Sequence, residues 1–153
     1  MTRPDSVARR LFIALAALAL AACAPDDAGT GDAEGPGGAV SMPDPAGSWT
    51  IQQIGDRPVV DGSPASMAFA EDGTVAGNGS CNQFTGGYEI NGDRLSLGPL
   101  AATSRLCSEE AMNDQEMRLF KALGEVASFR IEEDQLVLLD SAGEALIRAS
   151  RTQ

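Results

Sequence analysis

From Ser48 onward the chain is written in short runs of alternating apolar and polar residues, separated by turn formers. "SWTIQQI" sets Trp49 and Ile51 on one face of a strand that ends at a Gly55-Asp56 turn. "SMAFAEDGTVAGN" alternates Met67 with Phe69, turns at Asp72-Gly73 and returns through Thr74 to Ala76. "GGYEINGDRLSLG" is a second hairpin, with Tyr88 and Ile90 before Asn91-Gly92 and Leu95 and Leu97 after it. Near the end "SFRIE", "QLVLL" and "EALIRAS" predict three more strands, divided by Glu133-Asp134 and by Ser141-Ala142-Gly143.

One stretch changes period. In "SEEAMNDQEMRLFKALGEV", Met112, Glu116, Leu119, Phe120 and Leu123 recur at helical spacing. Asn113 with Glu116 has the spacing of a capping box, and Gly124 stands where a helix would stop. Leu119 and Phe120 are expected in the core, with Trp49, Phe69, Tyr88, Leu123 and Phe129. Strands, one helix, then strands, mostly joined by tight turns, predict an α+β domain. Its mostly antiparallel, curled sheet should carry one packed α-helix on a side or end.

The first 46 residues follow neither period. Arg3, Arg9 and Arg10 precede the short apolar run "LFIALAALALAA", which reads as an export signal too short for an ordinary spanning helix. It ends in "LAAC", which resembles the bacterial lipobox, so residues 1–22 are expected to be removed and Cys23 to carry lipid. Residues 24–46, "APDDAGTGDAEGPGGAVSMPDPA", offer almost nothing to bury and read as an acidic Gly/Pro/Ala tether. The folded domain is expected over 47–153.

Charge then narrows the function. The chain has 11 Lys plus Arg against 22 Asp plus Glu, a formal charge of -11, and no clustered cations for phosphate recognition. Nucleic acid is not an expected partner. It also has no histidine, which removes the usual general base and the commonest zinc ligand. The acidic groups Glu109-Glu110 and Glu132-Glu133-Asp134 lie at the helix start or in a turn, where carboxylates are usually solvated. "DPAG" and "EDG" lack the spaced oxygens of a calcium loop. No catalytic residue, cofactor or metal site is expected.

With Cys23 lipidated, Cys81 and Cys107 remain, both on the exported side where thiols tend to pair. Two cysteines without histidine are too few for zinc, and neither has the histidine or CxxC partner of a reactive thiolate. They are expected to form a disulfide, whose loop of about 26 residues contributes roughly 3.5 kcal/mol in the chain-entropy model. "GNGS" before "CN" has the makings of a backbone anion nest, although the same glycines also suit turns beside a disulfide.

The order of elements, the Trp49 strand with Arg57-Pro58-Val59, and above all "SCNQFTGGY" make the region from Trp49 to Arg148 resemble the META domain, the family of the heat shock protein HslJ. The "SCNQFTGGY" segment matches the Gly-rich "GCN…G.Y" signature of the family at Cys81-Asn82 and at Gly86 and Tyr88, with Ser80 in the place of the first glycine. A departure is that the family's Thr-Arg-Met-x-Cys run is here Thr103-Ser104-Arg105-Leu106-Cys107, with the arginine displaced by one. The resemblance implies a small, partly open β-barrel on an exported lipoprotein, associated with stress and antibiotic tolerance and without an established catalytic activity. The expected function is therefore a non-enzymatic envelope lipoprotein, held at the membrane by its lipid and acting through an unidentified envelope protein. Ala24 after the anchor favours the outer membrane, facing the periplasm. The alternative is a carrier with a lipid or small hydrophobic ligand inside the barrel.

Overall fold

The computed structural model describes residues 43–153. The signal, Cys23 and all but the last residues of the tether lie outside them. Ten strands and one helix follow in order: β1 (Gly47–Ile54), β2 (Arg57–Pro58), β3 (Ser66–Phe69), β4 (Thr74–Asn78), β5 (Gln83–Asn91), β6 (Arg94–Leu97), β7 (Ala101–Ala102), α1 (Glu110–Glu125), β8 (Ser128–Glu132), β9 (Gln135–Leu139) and β10 (Ala145–Arg151).

Every pairing is antiparallel. The sheet runs β10-β9-β8-β6-β5-β4-β3-β1-β2, with β7 beside β5, and it curls until β10 also pairs with β1. Eight strands thus lie in a ring, and one link is thin: β6 meets β8 through the single pair Arg94 and Ser128. The result is the curled α+β architecture expected from the alternation and turn signals, closed into the barrel-like, partly open form that the family resemblance implied.

The alternation decides which side faces in. Trp49 and Ile51 point inward, and a bulge between Ile51 and Gln53 resets the phase so that Ile54 does too. Met67 and Phe69 from β3, Val75 from β4, Phe84 from β5, Leu95 from β6, Phe129 from β8 and Leu136 and Leu138 from β9 complete the interior, all at most 3 % exposed. Leu119 and Leu123 of α1 enter the same core. The interior is filled with side chains, and at the 1.5–3 kcal/mol typical of a buried large apolar residue this packing is the main source of stability. Tyr88 and Phe120 only border it: Phe69 meets Tyr88 edge-on at 5.1 Å, and Phe84 meets Phe120 at 5.8 Å.

Two expectations about the helix are corrected. It starts after Glu109 with no side-chain cap, because Asn113 and Glu116 are turned toward the loops on either side of the disulfide. It also does not stop at Gly124, which lies within its last turn, and the chain leaves it at the extended Val126. The ordered domain reaches slightly further back than Gly47. Pro45 is buried, and its carbonyl accepts a 2.7 Å bond from the Trp49 indole N–H. Among the described residues no helix is long and apolar enough to cross a membrane.

Candidate functional site

Two features carry chemistry. The first surrounds the cysteines. Cys81 follows β4 in a tight bend and Cys107 lies in the loop before α1; they form a disulfide with Cα atoms 5.7 Å apart. Glu116, in the second turn of the helix and only 6 % exposed, reaches under this bridge. Its Oε1 accepts the backbone N–H groups of Cys81 (3.1 Å) and Asn82 (2.7 Å), and its Oε2 accepts the Asn82 side-chain amide (2.7 Å). The bend after "GNGS" is therefore an anion nest as well as a turn, and the anion is the protein's own carboxylate. Oε2 also lies 3.7 Å from the Cys81 sulfur and 3.8 Å from that of Cys107.

Asn82 passes the connection onward. Its Oδ1 accepts from the Thr103 hydroxyl (2.8 Å) and the Arg105 N–H (2.7 Å), while its Nδ2 also reaches the Arg105 carbonyl (2.8 Å). These contacts use the backbone of Arg105, so its displacement by one position from the family run leaves them intact. Asn113 holds the other cysteine, accepting the Cys107 N–H at 2.9 Å. Gln115, fully buried, accepts the Val60 N–H at 2.6 Å and has Ser63 Oγ, Ser80 Oγ and the Gly79 carbonyl within reach of its amide. Three loops are thus knitted to one helix end by buried polar groups whose hydrogen bonds are satisfied.

The glycines make this approach possible. A Cβ on Gly79 would lie 2.9 Å from Glu116 Cγ, and one on Gly77 would strike the Ser66 carbonyl and the Phe84 ring. Both glycines are there for space.

The second feature is on the outside of the sheet. The residues between the inward positions form two rows: Ser48, Ala68, Ala76, Thr85 and Ala101 in one, Thr50, Ser66, Asn78, Gln83 and Thr103 in the next. They line an open groove of about 900 Å³ in which no charged side chain takes part. Asn78 Oδ1, at its edge, is buried and has no hydrogen-bond partner among the described residues. Sequence reasoning missed the groove, because outward Ala, Ser and Thr look like ordinary exposed strand positions. Glu109, Glu110, Glu132, Glu133 and Asp134 are all exposed and contribute to neither feature.

The chain belongs to the META domain family, whose model matches residues 43–153. Among solved structures it is similar to a protein from Burkholderia xenovorans determined by NMR. The two share 21% identity at a TM-score of 0.57, and the match covers 78% of this chain and 98% of that one. A second structure determined by NMR matches with the same identity and TM-score over 70% of this chain and 90% of the other. The crystal structure of a duf4847 family protein from Bacteroides vulgatus is similar at 13% identity and a TM-score of 0.50, covering 71% of this chain and 94% of that one. At these identities the likeness is one of fold. No curated protein matches the chain.

Proposed function

We propose that this is a non-enzymatic, lipid-anchored envelope protein whose META domain recognises an envelope partner through the uncharged groove on β1, β3, β4, β5 and β7. The observation that carries this reading is the contrast between the groove and its surroundings. A chain of formal charge -11 keeps a five-strand face free of charge and built from small side chains. Such a face lets another surface approach closely without desolvating ions. The META family and the lipobox at Cys23 support a role in envelope stress or antibiotic tolerance, with the protein held by its lipid and facing the periplasm. A carrier storing ligand inside the barrel has less support, since Trp49, Phe69, Phe129, Leu136 and Leu138 fill that space.

The test is a pull-down from crosslinked envelopes with the wild-type chain and with Ala76→Arg, whose side chain points away from the core. A partner captured by the first and lost by the second, at equal melting temperature, supports the reading. Equal capture by both overturns the groove as the binding face. Cys23→Ser should abolish palmitate labelling; unchanged labelling removes the anchor.

A further inference from the structure

We propose that reduction of the Cys81–Cys107 disulfide converts the clasp around Glu116 into a zinc site, with the two thiolates and the Glu116 carboxylate as ligands. The three donor atoms lie within 4.8 Å of one another, and Glu116 Oε2 is almost equidistant from the two sulfurs. Borderline-soft zinc takes sulfur at about 2.3 Å and carboxylate oxygen at about 2.0–2.2 Å, so one ion between these atoms meets all three. A water would fill the fourth, open position.

The carboxylate is oriented in advance. Oε1 is held by two backbone N–H groups, which leaves Oε2 directed at the sulfurs, and Asn82 Nδ2 provides the outer hydrogen bond that tunes a metal ligand. The cysteines lie in a bend and an irregular loop, so their side chains can part on reduction without breaking a strand or the helix. Glu116 has no cationic partner: among the described residues the only ion pair joins Arg130 to Glu132. Reduction would place two ionisable thiols against this buried carboxylate, and a divalent cation is the counter-charge that the cluster lacks.

The chemistry balances. A dithiol reductant gives two electrons and two protons to the S–S bond, leaving two thiols here and a disulfide on the reductant. Zinc then displaces both thiol protons to water and undergoes no redox change. Reoxidation by exchange with an external disulfide, which takes the two electrons and two protons and leaves as a pair of thiols, restores the S–S bond and releases the zinc to water. The site is thus open to metal only in reducing conditions.

The experiment uses the full chain, reduced with a phosphine that is then removed, and zinc alone as the probe, in competition with a chromophoric chelator. Reduced protein should withhold one zinc per chain and oxidised protein none. X-ray absorption on the reduced wild type should find two sulfurs with oxygen in the first shell, a readout that does not depend on any variant folding. Glu116→Gln should lower zinc affinity by more than about tenfold, the least that loss of an outer-shell partner costs. The proposal is overturned if the reduced wild type surrenders all its zinc, or if a Cys81→Ser/Cys107→Ser chain retains zinc equally well.

Discussion

Asn82 and Glu116, 34 residues apart, hold each other by two bonds: the Asn82 backbone N–H and its side-chain amide each donate at 2.7 Å, to different oxygens of one carboxylate. Both groups are buried, so neither can turn to water if the other is lost. Glu116→Ala strands the Asn82 and Cys81 donors and should cost about 2–5 kcal/mol, since an orphaned buried donor costs about 1–3 kcal/mol. Urea unfolding of the oxidised protein measures this. A double-mutant cycle with Asn82→Ala should show a coupling of at least about 0.5 kcal/mol. Independent, additive losses would mean that the two residues merely share a neighbourhood.

Two glycines should respond to alanine with opposite signs. At Gly77 the new methyl would collide with the Ser66 carbonyl and come 2.5 Å from Phe84 Cζ, so Gly77→Ala should destabilise by about 1–3 kcal/mol. At Gly124, inside the last turn of α1, nothing lies within 4 Å of the new Cβ. Gly124→Ala should stabilise by roughly 0.5–1 kcal/mol through helix propensity. Matched thermal melts of the two variants are sufficient, and a stabilised Gly77→Ala would contradict the packing described.

The aromatic side chains can be ranked. Phe129 is 1 % exposed and should lose about 3–5 kcal/mol on truncation to alanine. Phe120 borders the core instead of lying in it, so Phe120→Ala should cost distinctly less. Chemical denaturation of both variants checks the order; equal losses would mean that Phe120 bears as much packing as a fully interior ring.

Tyr88 makes alkaline stability predictable in sign. Burial, followed by the nearby charges of Asp44, Asp72 and Glu71, raises its pKa above the ordinary 10.0, and its hydroxyl donates to the Ala70 carbonyl at 2.7 Å. The folded state therefore binds this proton more tightly than the unfolded state. That contribution is fully present below pH 10.0 and is lost as pH rises through the higher folded value. Tyr88→Phe should flatten the decline in stability above pH 10.0, measured by denaturant titration. An unchanged slope would assign the decline to other groups.

The strands were legible because alternation and turn residues are local signals. Asn91-Gly92 and Asp72-Gly73 both close hairpins where expected, and Gly92 and Gly73 adopt the positive φ that such turns use. The short pieces β2 and β7 carry no period to read. Phe84 was missed as a core residue because it follows a glycine- and asparagine-rich bend, and only the ring's place over Gly77 reveals its role. The clasp was half legible. The cysteine pair followed from the expectation of export and from the count, but Gln115 and Glu116 find their partners 34 to 55 residues away, which no local pattern encodes. The Asn113 and Glu116 spacing looked like a cap because the same polar residue types serve either purpose.

The pairing of β1 with β10 bears on how the molecule is made. Trp49 lies opposite Arg151, whose guanidinium stacks 4.3 Å from the indole centroid, and the Thr152 N–H returns to the Ser48 carbonyl. The first strand to emerge during synthesis therefore waits about a hundred residues for the neighbour that closes its free edge. Until then Trp49 and Ile51 lack part of their cover, and the chain pays a long loop-closure entropy before that contact forms. Ring closure is thus tied to arrival of the final strand, a timing that keeps the domain open until β10 has been made.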